Sequence, residues 1–288
     1  MTAVTDLESV EPTPITLGGA RGGPNVRTLR HGPWWANPLI TSLFLGSFVV
    51  YATWAAFQNG HFYVGDWAHR DLISPFYSPC VTATCALTAP SSRGIGGMGW
   101  LVLHWWTISP AILVMLGPLS IRSTCYYYRK AYYRSFWQSP PNCSVADGHK
   151  RYSGESKFPL LIQNLHRYAL YIGMVFNVIL TIDAVMAFRM PTQSDHGAIG
   201  VSVGSLVLTV NALLLWSYSL GCHAFRHLVG GHLKWFSKHP VRASMWRVVN
   251  WFNERHMQLA WISLTFVALT DLYVRLVSQG VFTDPKLF

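Results

Sequence analysis

Five long apolar runs, at about 37–57, 100–121, 159–188, 201–228 and 253–279, constrain this chain more than any other feature. A run of roughly 20 apolar residues is long enough to cross a bilayer as a helix. Hydrocarbon cannot hydrogen-bond a bare backbone, so only helices or a closed barrel can span it. Runs of this length select helices. The expected fold is all-α: an integral membrane bundle of five transmembrane helices. Charged residues make up only 12% of the chain, about half the share usual in a soluble domain. Aromatics flank the runs, as they do at membrane interfaces: Trp34 and Trp35, Trp100, Tyr126 to Tyr128, Trp235, Trp246 and Trp251. Pro110 and Pro118 fall inside the second run and predict a kink there.

The basic residues set direction. The amino-terminal tail, the second loop, Arg167 at the start of the third run and the fourth loop with its flanks hold 17 of the 22 Lys and Arg residues, and the opposite face holds Arg70, Arg93, Arg189, Arg275 and Lys286. Basic residues accumulate on the cytoplasmic side. The amino terminus is therefore expected inside and the carboxyl terminus outside. Residues 1–33 carry Asp6, Glu8 and Glu11 without an apolar core, and read as a cytoplasmic tail ahead of a membrane domain at 34–288. The formal charge of +10 sits beside the spans. Such placement is a topology signal, and no nucleic-acid partner is expected.

Counting from the outer ends of the runs places six chemically active side chains at one depth. Cys125 lies 25 residues past Trp100, and Cys222, His223 and His227 lie 21 to 26 past Val201. His166 precedes Phe188 by 22 residues, and His256 precedes Gln279 by 23. At ~1.5 Å per residue this is roughly 32–39 Å from the outer surface, a layer at the cytoplasmic interface. Ionisable groups at such depth mark function more often than packing. Two centres suit the donors: a haem between two facing histidines, or a Rieske-type [2Fe–2S] cluster with two Cys on one iron and two His on the other. On the outer side, Cys80 and Cys85 lie in a long loop where a disulfide is the simple expectation. Together with His104 and His196 they form a weaker metal candidate. Asp271 and Arg275, four residues apart, suggest a neutralising ion pair. Asp183 and His104 stand at a similar depth and could instead carry protons.

The fourth run ends Ser217-Tyr218-Ser219-Leu220-Gly221-Cys222-His223-Ala224-Phe225-Arg226-His227-Leu228. Its Arg-His-Leu exit resembles the membrane-anchor, cytochrome b-type C subunits of succinate dehydrogenase and fumarate reductase. The segment Arg30-His31-Gly32-Pro33-Trp34-Trp35 is similar to the actinobacterial single-anchor version. In that resemblance a haem-ligand His stands six residues before the Arg, in the pattern His-x-x-x-Gly-x-Arg-His. Here Leu220 and Ala224 occupy the His and Gly positions, and the first run has no His between Pro38 and Phe57. The two-haem arrangement therefore does not carry over. The inner layer points instead to a Rieske-type cluster on Cys125, Cys222 and two of His166, His223, His227 and His256, with a haem b on two of these histidines as the alternative.

The resemblance implies a membrane subunit of respiratory complex II, in the plasma membrane, linking the tricarboxylic acid cycle to electron transport. A flavoprotein and an iron–sulfur subunit would dock on its cytoplasmic face. Electrons would pass from the latter through a metal-binding, iron–sulfur redox centre to a quinone, menaquinone or ubiquinone. The basic inner loops suit docking by charge complementarity. His31, Trp34, Trp35, Arg122 and Arg226 could hold the quinone headgroup, by hydrogen bonds and a flat apolar clamp. The competing reading is a metal-free transporter or a purely structural membrane subunit. The odd number of spans and the lack of an internal repeat disfavour a transporter.

Overall fold

The computed structural model describes residues 33–66, 69–82, 85, 103, 105–143, 145, 147–149, 154–158, 160–190 and 198–287. Helix α1 is Ala36–Gln58. A hairpin of β1 (Tyr63–Asp66) and β2 (His69–Ile73) follows, with Tyr63 opposite Ile73. Next come α2 (Pro110–Thr124), the short α3 (Tyr126–Ala131) and one π-helical turn at Tyr132–Phe136. A 3-10 turn at Leu160–Leu165 leads into α4 (His166–Met186). Strands β3 (Arg189–Met190) and β4 (Ala198–Ile199) pair, and then α5 (Val203–Leu220), α6 (His223–Gly230), α7 (Pro240–Glu254) and α8 (His256–Ser278) complete the order. The molecule is mostly helical, and the two small ribbons are additions to the all-α expectation.

Among the described residues four segments are long and apolar enough to cross a membrane: Ala36–Gln58, Leu160–Met186, Val203–Leu220 and His256–Ser278. They match the first, third and fifth expected spans closely. The fourth is shorter than expected, because the helix stops at Leu220 and resumes as α6 after a break at Cys222. Of the second expected span, residues 105–109 are described and not helical, and the helix is the 15-residue α2, which starts at Pro110. Pro110 does not kink this helix. It starts it, at a position where the missing N–H costs nothing. Only Pro118 lies within. The expected fourth loop also folds, giving the amphipathic α7. Its Trp246 ring seats against Gly230, where a Cβ would lie 2.2 Å from the indole. Arg242 of α7 donates to the carbonyls of Val229 and Gly231.

The bundle interior is mixed. Leu170, Ala260 and Leu264 pack the half of the bundle beside Cys125 and Cys222, and Ala55, Phe76, Tyr77 and Val267 the half expected to lie outside. Large side chains such as Ile40, Leu43, Val50 and Phe57 remain exposed along α1. In water that would be a liability; against lipid tails it is the expected surface.

One polar knot ties the outer half together. Asp271 and Arg275 of α8 are 0% and 1% exposed and form a 2.7 Å ion pair. Tyr51 of α1 donates to Asp271 at 2.6 Å, and the Ser74 hydroxyl donates to its other oxygen. Arg275 also donates to the carbonyls of Ala55 and Gly60. The neutralising ion pair is thus present, and it fastens α8 to α1 and to the outer loop. Asp183 accepts from the Ser78 hydroxyl. His104, its suggested partner in proton movement, lies outside the described residues.

Removing one member of a buried pair strands the other charge and costs about 3–5 kcal/mol. Arg275→Met should therefore lower the thermal unfolding midpoint in detergent sharply. The double change Asp271→Leu with Arg275→Met should restore much of it. An unshifted midpoint for the single variant would contradict this role.

Candidate redox site

Four helices bring sulfur and imidazole to the same end of the bundle. Helices α2 and α5 finish there, one residue before Cys125 and two before Cys222. Helices α4 and α8 begin there, each with a histidine as first residue. The two cysteines occupy the same local fold. Cys125 has φ −67° and ψ 135°, and Cys222 has φ −62° and ψ 136°. One extended residue separates two helices in each case. The Cys125 amide donates to Arg122 O three residues back, and the Cys222 amide to Ser219 O. Each Cys carbonyl accepts from an Arg amide four residues on, Arg129 or Arg226. The sequence therefore contains two copies of Cys-x-x-x-Arg, at Cys125–Arg129 and Cys222–Arg226. That repeat was the missed signal for this turn.

The extended break turns each sulfur away from its own helix and toward the bundle axis. Both thiols are 1% exposed. His166 Nε2 lies 3.0 Å from Cys222 Sγ, and His256 Nε2 lies 3.9 Å from Cys125 Sγ. The backbone N–H groups of Tyr127 and Tyr128 face Cys125, and those of Ala224 and Phe225 face Cys222. They do so without closing a full capping bond.

Second partners fix the rings. Thr124 Oγ1 hydrogen-bonds His166 Nδ1 at 2.8 Å, which leaves Nε2 for the site. His256 stacks on Tyr218, with centroids 5.0 Å apart and planes at 9°, and meets Tyr127 edge-on at 5.4 Å. Its Nδ1 is buried without a hydrogen-bond partner. Beneath it the backbone must be glycine, since a Cβ at Gly221 would lie 2.9 Å from Phe252 O and 3.0 Å from that Nδ1.

Cys125, His166 and His256 line a chamber of about 610 Å³, whose wall also includes Arg129, Arg167, His223 and His227; Cys222 stands behind the His166 ring. His223 and His227 are thus wall residues. His227 is engaged by Arg167 at 3.0 Å and lies against His232. Among the described residues no three His, Cys, Asp or Glu side chains converge as a single-ion site. Cys80 and Cys85 form a disulfide with each other, which removes them from the metal candidates. His196, like His104, lies outside the described residues.

The family of the actinobacterial succinate dehydrogenase subunit SdhC matches residues 36–280. The chain belongs to that family. It is also similar in structure to a chain of the Mycobacterium smegmatis Sdh1 complex in the apo form. The TM-score is 0.79 at 43% identity, over 94% of this chain and 97% of that one. No curated protein matches. The resemblance seen at the fourth span and at the segment before the first thus identified the right family, and the four apolar helices accord with a subunit held in the membrane.

The four described quinone candidates stand at three places in this SdhC family member. His31 lies outside the described residues. Trp34 and Trp35 are exposed at the start of α1, where Asn142 donates to Trp34 O. Arg226 stands on α6 with its guanidinium over Trp246. Arg122 is buried inside the bundle.

Gly221→Val would drive atoms into Phe252 and His256, and overpacking of this kind costs about 1–3 kcal/mol. Gly46 meets nothing within 4 Å. Gly221→Val should therefore lower the unfolding midpoint, while Gly46→Val leaves it in place. Equal midpoints for the two variants would contradict the packing described.

Proposed function

We propose that the chain anchors a succinate dehydrogenase in the plasma membrane and holds a Rieske-type [2Fe–2S] cluster on Cys125, Cys222, His166 and His256. The observation that carries this is the seating of each imidazole against a different thiol. A Rieske-type cluster takes two Cys on one iron and two His on the other, so four ligands surround two irons and no iron needs a third protein donor. Two thiols, each beside an imidazole, at one end of the bundle, without a single-ion triad among the described residues, suit that demand. A haem would need opposed imidazoles clear of other donors. Here a sulfur lies within 4 Å of each one. The orphaned Nδ1 of His256 and the Thr124 bond to His166 further suit rings held for ligation. When bound, the cluster supplies a one-electron relay.

The chain's own residues do the rest. Arg129 and Arg167 give the chamber a cationic rim, which favours docking of an acidic surface on an iron–sulfur subunit, itself paired with a flavoprotein. For the quinone we favour a cleft of about 330 Å³ between the starts of α1 and α8 and the π-helical turn. Lys130, Arg134 and Asn142 offer donors to the carbonyls, and Tyr127 and Trp261 offer flat faces. Tyr127 touches both this cleft and His256, so the cleft adjoins the donor set. Trp34 belongs to its rim through Asn142. In this account α2 is the inner part of a fifth span. The amino terminus then faces the cytoplasm and the carboxyl terminus the outside, as the basic residues require.

Cys125→Ser with Cys222→Ser should abolish the subunit's iron and its low-average-g EPR signal. The chain should remain in the membrane with both hydrophilic subunits attached. His223→Ala with His227→Ala should retain the iron. Full iron in the cysteine double variant would refute the ligand set. Trp261→Ala should raise the KM for quinone roughly tenfold, the equivalent of about 1.4 kcal/mol, while iron content stays whole. An unchanged KM would move the quinone elsewhere.

A further inference from the structure

Arg122 is the one buried basic residue at the inner end of α2, at 9% exposure. A guanidinium stays protonated in proteins. Its partners are all neutral. It donates to Tyr128 Oη at 2.7 Å, to Ala260 O at 3.3 Å and to Ser263 Oγ at 3.2 Å. Its charge lies over the Tyr218 ring at 4.8 Å and the Tyr128 ring at 5.9 Å. Burial pushes the Tyr128 phenol up to about 12, so that partner does not supply an anion near neutral pH. Among the described residues the ion pairs are Asp271–Arg275 and Glu254–Arg255. The bundle's other buried arginine thus carries its own carboxylate, and Arg122 does not.

A buried cation without a counter-ion costs several kcal/mol. Such a cost in a membrane bundle points to a charge that is present only in the working state. The candidate anion is close. Arg122 is three residues from Cys125, whose amide it accepts through its carbonyl at 3.1 Å. Its charge bears on both Cys125 and His256. Tyr218 is common to both, with the Arg122 guanidinium over its ring and His256 stacked on it.

We propose that Arg122 is the fixed counter-charge of the redox centre and raises its potential. The proposal rests on the cluster assigned above. Two ferric ions, two sulfides and two thiolates, with neutral imidazoles, carry no net charge. One electron from the iron–sulfur subunit reduces one ferric ion to ferrous and leaves a net charge of −1, with no bond broken and no proton required. A permanent positive charge beside it favours that state, since net charge and local electrostatics set such potentials. The three neutral hydrogen bonds hold the guanidinium in place without cancelling its field. Arg122 is in this sense a tuning residue and not a ligand.

The test is an EPR-monitored redox titration of the purified three-subunit complex, with iron content measured alongside. Arg122→Gln should keep its iron and signal shape while the equilibrium constant for taking up the electron falls at least tenfold. For one electron that is about 59 mV. Arg122→Lys should keep most of the wild-type potential. Should Arg122→Gln fail to assemble, Ser263→Asp sets a carboxylate beside the intact guanidinium and should lower the potential in the same way. A purely structural Arg122 predicts lost stability at an unchanged potential. An Arg122→Gln or Ser263→Asp complex with full iron and the wild-type midpoint overturns this proposal alone. A wild-type subunit without iron overturns the cluster assignment and this proposal with it.

Discussion

Lipid offers no hydrogen bonds, so each polar side chain within this bundle must find its partner inside the chain. That demand is met differently at the two ends. At the outer end Asp271 and Arg275 neutralise each other, and Tyr51, Ser74 and two backbone carbonyls complete the set. The ion pair and its donors form a closed group. At the inner end the set is incomplete: two thiols, two imidazoles, an orphaned ring nitrogen and an unpaired guanidinium share one region. A closed knot holds helices together. An open one is costly unless something else completes it, and that asymmetry separates scaffold from site.

The inner arrangement depends on where helices stop. Had α5 run on through Cys222, as its apolar run suggested, the thiol would follow the helical spiral of its neighbours. The extended break at Cys222, repeated at Cys125, instead delivers each sulfur to the bundle end. Gly221 permits the approach of Phe252 and His256 beneath the second break. Histidines at the first position of α4 and α8 meet these sulfurs because those helices run the opposite way. Antiparallel packing therefore does the assembling, with two donors from helix ends and two from helix starts.

Much of this was legible in the residues. Hydropathy located three spans almost to the residue, because an apolar run of that length has one stable form in lipid. Counting depth placed Cys125, Cys222, His166 and His256 at one level, since helical rise is constant. Rotation about each helix is not written in a count of residues, so four histidines remained eligible where contacts favour two. The break at Cys222 was hidden for a related reason: hydropathy does not register a single extended residue. The quinone suggestions were weakest. Trp34, Trp35, Arg122 and Arg226 are interfacial by composition, yet tertiary packing sends them to three different places.

The central claim concerns what sits among four side chains, and iron can be seen directly. A high-resolution density map of the assembled complex, with the metal identified by its X-ray absorption edge, tests it most simply. The account predicts two irons joined by bridging density, with Cys125 and Cys222 on one and His166 and His256 on the other. A flat macrocycle between two histidines, or four side chains with no metal among them, would contradict it.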